Sequence, residues 1–190
     1  RCGVNQCGGC GFDLGVGLGG RPDGQRRDRG VVDRGASAAD SRGDLVDRGA
    51  DSAGVIETAM ALRATGGNVR FLLGNHEEVF LKACRNRDLK TLRFFLKIGG
   101  DATLQSYPIP RSEYLTLSLE ELAARLPSLV PEAHLTFLES FEDQIVVGDY
   151  AFVHAGIRPD VPLSEQKRSD MRWIREEFTD HKGDLEKVIV

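Results

Sequence analysis

No stretch of this 190-residue chain approaches the ~18 consecutive apolar residues that a membrane span requires. The N-terminus carries no apolar core segment of the kind that marks a secretory signal, so the cytoplasm is the expected compartment. There is no basic excess either. The net charge is −4, which excludes the electrostatic footprint of a nucleic-acid binder. Cysteine is scarce, at four residues. Cys2, Cys7 and Cys10 follow a C-x4-C-x2-C spacing that also occurs in plant-type iron–sulfur ligation. No fourth thiol lies nearby, since Cys84 falls in a segment that reads as a helix, and the three are expected to be idle thiols in a tail. What remains is ordinary for a globular protein, with 41% hydrophobic and 28% charged residues, enough for one domain with a core.

The chain has two textures. Half of its 22 glycines lie in residues 1–42, mixed with Arg and Asp, and neither a helical nor a strand period can be traced there. Such a segment buries too little surface to offset its ordering entropy, so residues 1–42 are expected to be a disordered arm and residues 43–190 the domain. The abrupt change at Gly43 also raises the expectation that the arm stems from a reading-frame or gene-model error. Val-Asp-Arg-Gly-Ala occurs at 32–36 and again at 46–50, but the first copy has Val31 where the second has Asp44, so it is not read as a functional repeat.

From Gly43 onward the pattern is regular. Asp51 or Ser52 caps a helix running to about Thr65, ended by Gly66-Gly67, with Val55, Ile56, Ala59, Met60 and Leu62 inward. Residues 68–73 read as a buried strand with a turn at Gly74. Helices are predicted over 77–85 and 89–97, the second stopped by Gly99-Gly100. Pro108 and Pro110 mark a loop. Ser118 with Glu121 forms a capping box for a helix through Leu126, and Pro131 starts another to about Phe141. Residues 144–147 and 150–154 form a hairpin about Gly148-Asp149. A helix over 170–178 and a strand from Glu186 complete the pattern.

Three blocks hold the chemistry: Gly43-Asp-Leu-Val-Asp-Arg-Gly49, Gly74-Asn-His-Glu77 and His154-Ala-Gly156. Asp44 offers a carboxylate able to bridge two divalent ions, Asn75 an amide oxygen and His154 an imidazole nitrogen. This mixed oxygen and nitrogen set suits manganese, iron or zinc. Taken singly, each residue has a structural alternative: a turn-capping Asp, a turn Asn, a strand-end His. His76 is a candidate to protonate a leaving alkoxide, and needs an acidic partner to hold its tautomer. Arg48 is a candidate phosphate fork, or else one half of a surface ion pair. Gly49 is expected to permit the tight turn that points Arg48 inward. His134 and His181 match no motif and are expected at the surface.

The three blocks, in this order, resemble the signature of the calcineurin-like metallophosphoesterase superfamily, and most of all its bacterial phosphoprotein (Ser/Thr) phosphatases. The resemblance implies a layered αββα sandwich of α/β class and two divalent metal ions, manganese foremost. It implies that Asp44 bridges the metals, that Asn75 and His154 hold the second one, and that Asp47 is the partner of His76. Two further segments are similar to bacterial members: Gly99-Gly-Asp-Ala-Thr-Leu-Gln-Ser-Tyr107, and Met171-Arg-Trp-Ile-Arg-Glu-Glu-Phe178. In the latter, Arg175 would be a second phosphate contact and Trp173 a packing anchor, the alternative being a helix with a charged exposed face and an ordinary core Trp.

The pattern is incomplete. Members begin with an apolar strand ending in Gly-Asp-x-His-Gly, whose Asp and His bind the first metal. No such block precedes Asp44, and residues 36–42 are not apolar enough for that strand. A later Gly-His-Thr block is missing too. Asp13, Asp23, Asp28, Asp33 or Asp40 would substitute only if the arm folded back. The expected activity is hydrolysis of phosphomonoesters, with phosphoserine and phosphothreonine in proteins preferred and no nucleic-acid or membrane partner. The alternatives are a bis(5'-nucleosyl)-tetraphosphatase and a catalytically dead phosphatase-like binding module.

Overall fold

The computed structural model describes residues 40–41 and 44–190. Residues 1–39 of the expected arm, with the Cys2, Cys7 and Cys10 set and the four Asp residues from Asp13 to Asp33, lie outside the described residues. Asp40–Ser41 forms a short strand, β1, which pairs in parallel with β2 at Arg70–Phe71. A strand therefore precedes Asp44 where composition argued against one. Two residues of main-chain pairing need no apolar run.

Helix α1 spans Ser52–Ala64 and starts as expected, with the Asp51 carboxylate accepting the Gly54 N–H. Its inward stripe includes Ile56 and Ala59. Helix α2, Asn75–Asn86, begins two residues earlier than the periodicity indicates. Gly74 is its extended N-cap, and Glu77 reaches back to accept the Gly74 N–H at 3.0 Å. Asn75 and His76 are thus the first two helical residues, not turn residues. The strand expected over 68–73 shrinks to β2 plus a bridge from Leu72 to Glu142. Leu73 N–H donates to the Glu142 carbonyl at 2.8 Å, so a loop serves as the neighbouring strand.

Helix α3, Leu89–Phe95, is stopped at Gly99, as expected, since the backbone there is non-helical. A wider turn over Leu96–Gly100 leads into the kink at Gly99 (φ 115°), and a separate helix, α4, Asp101–Gln105, begins beyond it. A short α5, Arg111–Tyr114, follows the predicted proline loop. Helix α6, Leu119–Leu129, has the predicted Ser118/Glu121 capping box, and α7, Glu132–Glu139, starts after Pro131. The inward faces of α1 to α4, α6 and α7 meet in one core that includes Ile56, Phe80, Phe95, Leu104, Leu126 and Leu138.

His134 corrects an expectation. It lies in this core on α7, 5% exposed, with its Nδ1 3.0 Å from the Tyr107 hydroxyl. That hydroxyl is the partner that permits burial, and burial lowers the affinity of the imidazole for a proton. His181 is exposed, as predicted.

The second sheet contains β3, Gln144–Val147, antiparallel to β4, Tyr150–Val153, and β5, Val188–Ile189, parallel to β4. A smaller core of Ala151, Val153, Ile157, Leu163 and Met171 backs it. The helix expected over 170–178 is two helices, α8 at Arg168–Trp173 and α9 at Glu176–Thr179. The Met171 carbonyl, which a continuing helix would offer to the N–H of residue 175, instead accepts from Ala155 at 2.8 Å. The result is the mixed α/β class read from the sequence. No helix among the described residues is long and apolar enough to cross a membrane.

Candidate active site

The loop from Asp44 to Arg48 holds three non-glycine residues in the left-handed region: Asp44 (φ 59°), Asp47 (φ 72°) and Arg48 (φ 61°). Such conformations persist only where the surroundings over-determine them, and they concentrate at functional sites. Gly49, expected to make the turn, is not at positive φ. At the start of the loop the constraint comes from the Glu77 carboxylate, which is fully buried. Its Oε2 accepts the N–H of Asp44 at 2.9 Å and of Gly74 at 3.0 Å, and its Oε1 accepts those of Leu45 at 2.5 Å and Val46 at 3.2 Å. Burial pushes the Glu77 carboxyl up, and these N–H donors oppose that shift. Gly74 is required by closeness. A Cβ there would sit 2.5 Å from Glu77 Oε2 and 2.8 Å from Asp44 N.

The loop delivers Asp47 to His76. Asp47 Oδ2 lies 2.5 Å from His76 Nδ1, and both residues are buried. The other oxygen, Oδ1, accepts the Thr103 hydroxyl at 2.8 Å. Burial raises the Asp47 pKa, opposed by the His76 and Thr103 hydrogen bonds. With Nδ1–H donating to Asp47, Nε2 of His76 is the acceptor, and the Arg48 Nη2 donates to it at 3.2 Å. The acid pair and the guanidinium fork expected from the sequence are therefore adjacent. Arg48 is seated by Gly99, whose carbonyl accepts the Arg48 N–H at 3.2 Å and whose missing Cβ would lie 2.8 Å from Arg48 Cγ.

At the start of α2 and the end of β4, His154 Nε2 lies 3.1 Å from Asn75 Oδ1 and 3.7 Å from Asp44 Oδ1. Ligands bound at ~2.0–2.2 Å around one ion sit roughly 3–3.5 Å apart, a spacing that the His154–Asn75 pair meets and Asp44 slightly exceeds, so these three side chains are the candidate holders of one divalent ion. Among the described residues no group of three or more His, Cys, Asp and Glu side chains gathers as a metal site.

Asp44, Arg48, Asn75, His76 and His154 line one cleft of about 550 Å³, together with Arg172, Trp173 and Arg175. The break between α8 and α9 turns Arg175, an exposed residue, onto the rim. Trp173 is 40% exposed and so is not an ordinary core tryptophan. Its indole N–H donates to Glu78 at 2.7 Å. Glu78 in turn pairs with Arg172, which also bonds Asp143 and is nearly buried. Burial works against the Glu78 carboxylate, but the bonds from Lys82 and Trp173 and the Arg172 charge hold its pKa below the ordinary value.

Sequence reasoning brought six of its seven site residues to this cleft lining and the seventh, Asp47, directly behind it. It missed the work of Glu77, Thr103, Gly99 and Arg172. The signal for Glu77 was present in its place three residues after Gly74, the capping-box offset. Thr103 had no local signal, because its partner is 56 residues away.

No curated protein and no solved structure matches the chain. With a carboxylate, an amide oxygen and an imidazole converging beside an Asp–His pair and arginines, the match of the calcineurin-like phosphoesterase family model to residues 41–190 has a physical counterpart, and the chain belongs to that family of metal-dependent phosphoester hydrolases.

Proposed function

We propose that the chain hydrolyses phosphomonoesters, and that phosphoserine and phosphothreonine side chains of proteins are its substrate class. The observation that carries this reading is the position of His76 Nε2, which faces the cleft 3.2 Å from the Arg48 fork while Nδ1 is tied to Asp47. Arg48 and Arg175 bind and orient the phosphate. A phosphate in the cleft draws the Arg48 fork away from Nε2, and frees that atom to carry the proton given to the leaving serine or threonine oxygen. Asp47 holds the ring and stabilises its charged form. Asp44, Asn75 and His154 would hold a divalent ion, manganese, iron or zinc. When bound, it supplies Lewis acidity toward the phosphoryl group and water. Val46-Asp-Arg and His76-Glu, which resemble the protein-phosphatase branch, support the substrate class.

The test is turnover with manganese of p-nitrophenyl phosphate, a phosphoserine peptide and a bis(5'-nucleosyl) tetraphosphate. Turnover of the first two, abolished by Asp44→Asn, is expected. Cleavage of the tetraphosphate alone overturns the substrate class. A second reading, a binding module without turnover, is favoured by one observation: among the described residues no group of three or more His, Cys, Asp and Glu side chains gathers to hold an ion. Phosphopeptide binding without hydrolysis would establish it and overturn the first.

A further inference from the structure

The segment from Gly99 to Tyr107 has no group in the cleft lining, yet its Thr103 is completely buried against the acid pair. Its hydroxyl is saturated. Oγ1 accepts the backbone N–H of Asp47 at 2.8 Å and donates its own proton to Asp47 Oδ1 at 2.8 Å. Ser52 Oγ lies 3.1 Å away, and with the Thr103 proton committed, the Ser52 hydroxyl is the donor in that contact. One hydroxyl thus grips the main chain and the side chain of the same aspartate, which stands at φ 72°.

The carboxylate plane follows. Once Oδ1 is held by Thr103, Oδ2 is the oxygen that meets His76 Nδ1. That contact in turn selects the tautomer and aims Nε2 at the cleft. Helix α4 is placed for this by the kink at Gly99, the residue that also seats Arg48. We infer that Thr103 is a positioning residue for proton transfer, acting through Asp47 on His76, and that the Gly99–Tyr107 segment is the wall that orients the acid pair. This rests on the proposed role of His76 as the acid.

Two measurements test it on the full chain. The first compares kcat for phenyl phosphate, whose leaving group needs a proton, with kcat for p-nitrophenyl phosphate, whose leaving group needs it far less. The ratio is independent of the folded fraction. Thr103→Val keeps the shape of the side chain and removes the hydroxyl. It is expected to lower the ratio about 10-fold, while Thr103→Ser stays near wild type. The second is the low-field imidazole N–H proton resonance, assigned through its loss in His76→Gln. It is expected in wild type and Thr103→Ser, and shifted or lost in Thr103→Val, with no turnover needed. Where Thr103→Val fails to fold, Thr103→Ala is read in the same way. An unchanged ratio and an unmoved resonance in the hydroxyl-free variant overturn the inference. If His76→Gln itself leaves the ratio unchanged, it is the acid role of His76 that fails.

Discussion

The carboxylate of Glu77 accepts the backbone N–H of Asp44 at 2.9 Å across 33 residues of sequence, from a position with no exposure to solvent. The loop that carries Asp44, the proposed metal ligand, is thereby tied in its left-handed conformation to the first turn of α2, which carries Asn75 and His76. All four groups facing Glu77 are N–H donors, so only a carboxylate suits the site. Glu77→Gln keeps the shape and turns one oxygen into an NH2 facing N–H groups. We expect a loss of about 1–3 kcal/mol, read as a fall in Tm of about 2–10 °C, together with loss of phosphatase activity. Wild-type melting and activity in Glu77→Gln would show that the loop holds itself.

The convergence of Asp44, Asn75 and His154 predicts manganese binding by the folded chain. Titration calorimetry should show at least one site, with Asp44→Asn and His154→Ala each weakening it more than about 10-fold. Chelation should abolish turnover, and added manganese should restore it. Equal affinity in wild type and His154→Ala would remove His154 from the ligand set.

Stability should depend on pH through Glu142. Its hydrogen bonds from Arg70 hold the carboxyl below its ordinary value of 4.5. A carboxyl depressed in the folded state contributes stability that is fully present above 4.5 and lost as pH falls through the lower folded value. Melting temperature should therefore drop as pH falls below 4.5, and Glu142→Gln should flatten that part of the profile. An identical slope in the variant would assign the acid sensitivity elsewhere.

Cys84 should be inert in the folded protein. It lies in the main core, and burial pushes its thiol up to about 12. Alkylation followed by peptide mass spectrometry should label Cys84 only after denaturation. Labelling of Cys84 at native pH 7.5 would show that α2 opens on the timescale of the reaction.

Gly99→Ala should act on Arg48 alone among the phosphate contacts. The new Cβ would lie 2.8 Å from Arg48 Cγ and would need a left-handed φ of 115°. KM for a phosphoester should rise several-fold, more than Tm falls in proportion. A change in Tm without a change in KM would make Gly99 a matter of folding only.

What the sequence determined by itself was whatever depends on near neighbours. The caps at Asp51 and Ser118, the Pro131 start, the hairpin about Gly148-Asp149 and the presence of carboxylate, amide and imidazole donors in three short blocks were all legible. Local dihedral preference and side-chain chemistry act over a few residues, and such signals survive in one dimension. What the tertiary structure alone decided was which donors meet. It set Arg48 against the Gly99 kink, where the missing Cβ leaves room for the arginine side chain. It broke the 170–178 helix, since Ala155 took the Met171 carbonyl. It buried His134, since Tyr107 stood ready to bond it. It also made Glu77 and Thr103 into the supports of Asp44 and Asp47. Each of these outcomes is settled by a hydrogen-bond partner or a packing neighbour distant in sequence, and no local pattern encodes the identity of that partner.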